Sequence, residues 1–360
     1  MVKHKPKVIM ISEVLSSYNV PIYEMINKEV DFTFAYTFKK EEDNPGFKTL
    51  KMSYYKIGPF ILYKRLHFLI RNYDVVIIST HFKLINLIVL PFLPHKKKIV
   101  SWSIGRYITY NIKYSLEEKP SFKDRILISI HQKSDACIVY MPQAIQYWEK
   151  YGKIDKQKYF VAHNTVKVAD FSTMPPFEER NTILFIGTLY VQKGIGELLT
   201  AYSMAQKKND LIPKLVIIGK GPEEANVKDQ LKNLSLEDSV DMVGAIYNEE
   251  ELKKYFLKAL LCISPKQAGL SVQKSLGYGT PFVTRHDAIT GGEKFDIKDK
   301  YNGFLYSSIE ELAEIILKTK NDSSLLKKMS NHARNYYINE ASPQNMVQGV
   351  LDAISYALHH

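Results

Sequence analysis

The stretch Cys262-Ile263-Ser264-Pro265-Lys266-Gln267-Ala268-Gly269-Leu270-Ser271 continues through Val272-Gln273-Lys274-Ser275-Leu276-Gly277-Tyr278 into Gly279-Thr280-Pro281-Phe282-Val283-Thr284, and its reading decides the fold. It holds an apolar strand, a loop with a glycine, a short helix and a Gly-x-Pro exit into a second strand. A helix beginning just after Gly269 turns its unpaired N–H groups and the positive end of its dipole toward whatever the loop borders. Such a place suits an anion.

Outward from this stretch the same alternation repeats. Thr182–Gly187, Lys214–Gly219, Val240–Val243 and Leu260–Ser264 are strand-like, and helical runs near Gly196–Lys207, Glu223–Leu234 and Glu249–Lys258 separate them. Toward the N-terminus, strand-like Lys7–Ser12, Phe32–Tyr36, Asp74–Thr80, Lys98–Ser101 and Ala136–Tyr140 precede a proline-containing linker at Ala169–Arg180. Unbroken apolar strands divided by helices indicate parallel sheets covered on both faces. The expected class is α/β, with two Rossmann-like, doubly wound domains facing each other across a cleft at the strands' carboxyl ends. The expected division is an N-terminal domain at 1–165, a second domain at 166–342, and a C-terminal helix at 343–360 that can cross back to the first.

Composition narrows the function. The formal charge of +11 is confined to one half, because residues 1–165 carry 26 Lys and Arg against 14 Asp and Glu, leaving the remainder at about −1. Nucleic-acid binding would call for aromatic platforms interleaved with the bases or a known reading motif, and neither is present. Cys137 and Cys262 each lie in an apolar run and read as buried free thiols of a reducing compartment, without metal-ligand spacing. The opening residues lack a signal-peptide pattern, and the apolar run Leu84–Leu93 is too short to span a bilayer. The expected location is cytoplasmic.

The segment Ile183-Leu184-Phe185-Ile186-Gly187-Thr188-Leu189-Tyr190-Val191-Gln192-Lys193-Gly194 is a strand, a glycine-opened loop and a lysine before a helix. Lys193 is placed to neutralise phosphate, or it is a solvated loop lysine. Ile217-Ile218-Gly219-Lys220-Gly221-Pro222-Glu223 is a second strand–turn–helix start, with Pro222 suited to a first helical position. Together with Val243-Gly244, Gly269-Leu270-Ser271, Gly279-Thr280-Pro281 and Asn302-Gly303, these pieces resemble the C-terminal half of retaining GT-B glycosyltransferases of family four. The resemblance covers roughly residues 180–340. The N-terminal half is looser, with Ser17–Tyr23 like an acceptor-side loop.

The resemblance implies a metal-independent retaining hexosyltransferase that takes a nucleotide-diphosphate sugar as donor and needs no further cofactor. It assigns the donor diphosphate to Lys193 and the amides of Gly269, Leu270 and Ser271, with Gly187, Thr188 and Gly244 lining the donor site. Thr188 stands where the family has an arginine. The family's two glutamates, eight positions apart, fall here on Lys266 and Lys274, so the ribose contact attributed to the second must be made otherwise. Glu293 is the expected substitute, alone or paired with Lys274; the alternative is an exposed loop glutamate. The histidine expected near the acceptor has no counterpart at Ser101–Arg106. His81 is the nearest replacement, with a structural histidine as the alternative, and Arg106 could hold a phosphate.

The basic excess includes Tyr63–Arg71, where helical spacing puts Lys64, His67 and Arg71 on one face, and the run His95-Lys96-Lys97-Lys98. Such segments suit an anionic membrane surface, here the inner face of the plasma membrane, or simply cover a sheet. With docking, the glycan acceptor is expected to be lipid-linked. Two rivals remain open: a non-catalytic nucleotide-sugar-binding protein, and a nucleotide-sugar epimerase, against which the scarcity of acid and histidine pairs argues.

Overall fold

A computed structural model of the chain describes residues 5–40, 44–94, 96–108, 115–152, 154–171 and 174–360. They form two compact units, one of residues up to Ile108, Ser115–Lys167 and Pro343–His360, the other of Val168–Ser342.

In the first unit the strands are β1 (Lys7–Leu15), β2 (Asp31–Lys40), β3 (Lys48–Lys51), β4 (Tyr54–Ile57), β5 (Phe60–Tyr63), β6 (Val75–Ser79), β7 (Lys98–Ser103), β8 (Ala136–Val139) and β9 (Tyr159–Val161). All but β4 and β5 join one sheet in the order β3-β2-β1-β6-β7-β8-β9, every pairing parallel. Chain order reverses between β1 and β6. The helices are α1 (Val20–Glu29), α2 (Leu66–Ile70), α3 (Ile85–Val89), α4 (Phe122–Lys133) and α5 (Pro142–Gly152).

In the second unit β10 (Thr182–Ile186), β11 (Lys214–Ile218), β12 (Val240–Gly244), β13 (Ala259–Ile263), β14 (Gln267–Ala268), β15 (Phe282–Arg285), β16 (Ile289–Thr290) and β17 (Gly303–Tyr306) alternate with α6 (Ile195–Lys208), α7 (Glu224–Asn233), α8 (Glu249–Lys258), α9 (Ser271–Gly277), α10 (Ile309–Asn321) and α11 (Ser323–Tyr336). Its main sheet runs β12-β11-β10-β13-β15-β17, again all parallel. The reversal lies between β10 and β13, so the crevice where such sheets bind ligands opens onto the loops after those two strands. These are the loops that carry Lys193 and Gly269. The class read from the apolar strands, two doubly wound parallel-sheet domains, is the one observed.

The last helix, α12 (Pro343–His359), returns to the first unit and puts Met346, Val350, Ala353, Ile354 and Ala357 into the core that also holds Val8, Phe32 and Ile138. Gly349 makes this approach possible, since a Cβ there would lie 2.1 Å from the carbonyl oxygen of Val161.

Two local expectations are corrected. Tyr63–Arg71 is not a continuous amphipathic helix: Asn86 holds Tyr63 in β5, donating to its carbonyl at 2.8 Å and accepting from its N–H at 3.1 Å. Arg65 then turns left-handed, with φ 54°, and only Leu66–Ile70 is helical. Pro222 is not a first helical residue either, because α7 starts at Glu224 with Glu223 as its cap. Of the basic run after β6, His95 lies outside the described residues, as do Ser172 and Thr173 of the linker.

Candidate functional site

At the carboxyl edge of the second sheet three glycines let neighbouring strands end almost in contact. The Gly187 N–H donates to the Ile218 carbonyl at 3.0 Å, and the Gly219 N–H donates to the Gly244 carbonyl at 2.8 Å. Gly219 has φ 157°, and a Cβ on it would stand 1.9 Å from the Gly187 carbonyl oxygen. No side chain fits there, so the loop after β10 is pressed onto the loop after β11, and Thr188 is left exposed on the rim.

Lys193 ends a 3-10 turn, and Gly194, left-handed at φ 68°, passes the chain into α6. Its side chain bends back over Gly187, with Nζ 3.4 Å from where a Cβ of that glycine would be. Lys193 is only 8% exposed. Among the described residues its Nζ has no hydrogen-bond acceptor and no carboxylate within ion-pair distance. Burial pushes its pKa below the usual lysine value, and the nearby Glu293 carboxylate opposes that shift. An unpaired buried ammonium is costly, and an anion bound against it removes the cost.

Facing this lysine across the β10–β13 crevice is the loop of residues 264–270. It is braced by a feature absent from the sequence reading, a parallel two-stranded sheet in which Gln267 and Ala268 pair with Ile289 and Thr290. Tyr190 fixes it further by donating to Gln267 Oε1 at 2.8 Å, and the Lys266 N–H donates to the Lys193 carbonyl at 3.3 Å. Among the described residues the N–H groups of Gly269, Leu270 and Ser271 enter no turn, loop or cap hydrogen bond. The space beside Gly269 is open, with nothing within 4 Å of an added Cβ. The Ser271 hydroxyl is buried without a hydrogen-bond partner among the described residues.

Glu293 is a buried residue of the β16 turn, which disposes of the exposed-loop alternative. Its carboxylate accepts from Thr290 Oγ1 at 3.1 Å and from the Gly291 N–H at 2.9 Å. It therefore shares the electrostatic surroundings of Lys193, whose loop is remote in sequence. Lys274 does not pair with Glu293. Its ammonium is bound to Glu249 at the start of α8, and the other oxygen of that carboxylate accepts from Tyr278 at 2.7 Å. Lys266 is exposed and lies 3.9 Å from Glu197, whose second oxygen takes hydrogen bonds from Arg285 at 3.1 Å and Tyr306 at 2.9 Å. Glu249 and Glu197 were missed because in sequence they read only as acidic residues at helix N-termini, where the dipole favours them.

In the first unit the reversal between β1 and β6 brings together Glu13 near the end of β1 and His81 just after β6. Their side chains stand 3.5 Å apart and are both accessible. Arg106 is committed elsewhere: it bonds Asp124 at 3.0 Å and lies 4.6 Å from the Tyr147 ring centre. Burial raises the Asp124 carboxyl, but Arg106 and the N–H groups of Tyr107 and Ser121 outweigh it and hold that carboxyl below its ordinary range. This arginine is a structural ion pair rather than a phosphate ligand. Among the described residues no helix is long and apolar enough to cross a membrane.

Residues 169–336 match the family model described as glycosyl transferases group 1. A Haemophilus influenzae protein named as an uncharacterized glycosyltransferase is 30% identical over 190 residues, 49% of this chain and 52% of that protein. The alpha-monoglucosyldiacylglycerol synthase of Streptococcus pneumoniae is 31% identical over 180 residues, 48% of this chain and 39% of the synthase. The chain thus spans about half the length, or less, of these curated relatives. A solved structure of Anabaena HepE in complex with UDP superposes with a TM-score of 0.67 at 14% identity, covering 97% of this chain and 99% of that one. That likeness identifies the fold of both units as GT-B.

Proposed function

We propose, from the premise that residues 169–336 form a group 1 glycosyltransferase domain, that this protein moves a hexosyl group from a nucleotide-diphosphate sugar to a glycan acceptor. The transfer proceeds with retention and without a bound metal, in cell-surface polysaccharide or glycoconjugate synthesis. The observation that carries the reading is Lys193, a buried cation with no ion-pair partner among the described residues, beside an open loop whose amides enter no turn, loop or cap hydrogen bond there. As the glycosidic bond breaks, negative charge grows on the leaving diphosphate. Lys193 and the N–H groups of Gly269, Leu270 and Ser271 receive it without rearranging. Gly187, Thr188 and Gly244 border the nucleotide, while Glu293 and Lys274 face its sugar and ribose. His81 belongs to the acceptor side, where Glu13 orients it.

The acceptor is lipid-linked and the enzyme is peripheral to the inner face of the plasma membrane. The basic balance of residues 1–165 supports this, as does a relative named for a glycolipid product. A second reading, a nucleotide-sugar-binding protein without transfer, is favoured by one observation: Lys266 and Lys274 put cations where carboxylates were expected, and each faces a carboxylate of its own unit. Thermal melting against a panel of nucleotide sugars, followed by a donor-hydrolysis assay, separates the readings. Stabilisation by at least one donor with slow hydrolysis is the expected result. Stabilisation without hydrolysis or transfer supports the binding protein, and no stabilisation by any donor overturns both.

A further inference from the structure

The β4–β5 hairpin stands apart from the main sheet of the first unit and has two unlike faces. In its antiparallel register Tyr55 pairs with Leu62 and Ile57 with Phe60. These four side chains therefore share one face, while Ile61 and Tyr63 point the other way. The inner face is fixed: Ile61 and Tyr63 are buried, Tyr63 donates to or accepts from Thr37 at 2.6 Å, and Asn86 clasps its backbone. The outer face is bare. Tyr55 is 61% exposed, Ile57 62% and Phe60 43%, on either side of a Gly58–Pro59 tip, and Phe68 on the neighbouring α2 is 64% exposed. Apolar side chains held outward on a rigid anchor need an occupant.

Charge identifies which one. From Asn44 to Tyr73 the chain has six Lys and Arg and no Asp or Glu. Among the described residues only Lys48 of these is held in an ion pair, with Asp31. Lys64 lies 4.2 Å from the Tyr55 ring centre and Arg71 5.1 Å from that of Phe68, so the cations frame the exposed rings. We propose that the outer face of this hairpin, with α2 beside it, docks on an anionic phospholipid bilayer. Ile57 and Phe60 enter the acyl boundary and Lys64, Arg65 and Arg71 meet the phosphates. The surface differs from the amphipathic helix expected from the sequence, and the inference rests on the reading of the first unit as membrane-facing.

The test is sedimentation of the full chain with vesicles of phosphatidylglycerol mixed equally with phosphatidylcholine, or of phosphatidylcholine alone, without any sugar nucleotide. Wild type is expected to sediment with the mixed vesicles only. The double variant Ile57→Ser/Phe60→Ser should lose about tenfold or more in partitioning. Lys64→Gln should lose about fivefold, and only on the anionic vesicles. Both sites are exposed, and an unchanged melting temperature confirms that the variants are folded. Undiminished sedimentation of the apolar variant overturns the hairpin assignment while the membrane reading stands, and wild type that fails to sediment overturns both. A dimer in light scattering that the double variant abolishes, with vesicle binding unaffected, overturns the proposal in favour of self-association.

Discussion

Lys193 and Lys274 lie in the same domain, each on a loop–helix unit at the carboxyl edge of one sheet, and their environments are opposite. Among the described residues Lys193 is buried with no carboxylate within ion-pair distance, whereas Lys274 is tied to Glu249. A cation without a partner is an unmet demand for an anion, and a cation with one is neutral to a distant ligand. The difference separates the phosphate end of the crevice, where positive charge is available, from the end beside α8, where it has been cancelled.

Removing the available charge should have the largest effect. Lys193→Ala is expected to weaken binding of a nucleoside diphosphate by about 3 kcal/mol, roughly hundredfold, the scale of a buried charge-assisted contact. The melting temperature of the unliganded protein should hold or rise, because an uncompensated ammonium has gone. Calorimetric titration and melting read the two effects, and unchanged affinity would refute the contrast at its stronger pole.

Titration sharpens the same point. Burial lowers the folded-state pKa of Lys193, so between that value and the unfolded value the unfolded chain binds the extra proton. The destabilisation it causes is fully present below the folded pKa and disappears as pH rises through the unfolded one. Diphosphate affinity should therefore start to fall at a lower alkaline pH than an ordinary lysine dictates. Lys193→Arg, which stays charged, should flatten that fall whatever its absolute affinity, and a wild-type profile already flat to the ordinary lysine pKa would count against the assignment.

The smallest effect tests the other pole. Glu249→Gln keeps an acceptor for Tyr278 but frees Lys274, turning a cancelled charge into an available one. Stability should fall by about 1 kcal/mol, as for a partly exposed pair, and diphosphate affinity should rise a few-fold. An affinity that drops instead would mean that Glu249 itself touches the donor.

Much of the fold could be read directly because its strands are continuous apolar runs, such as Val8–Ile11 and Leu215–Ile218, that helices interrupt at regular distances. The hairpin of Tyr54–Tyr63 could not, since both of its faces carry large apolar residues and leave no period of two to recognise. The two-residue strands β14 and β16 have no period at all, yet they hold the Gly269 loop in place. Lys193 was visible from its place before a helix. That it lacks a partner while Lys274 has one depends on Glu249 and Glu293, which the fold brings from elsewhere in the chain. Local pattern reports where a charge starts, and only tertiary structure reports whether it is spent.

The close seat of Gly349 against Val161 also orders events during synthesis. The first unit needs α12 to complete its core, but 175 residues of the second unit, Val168–Ser342, are translated before that helix. At ordinary elongation rates the N-terminal sheet waits roughly ten to thirty seconds with one flank uncovered. A nascent chain of this topology finishes its second domain first and closes its first domain last, which makes the interval before residue 343 emerges the period of greatest exposure to chaperones and to aggregation.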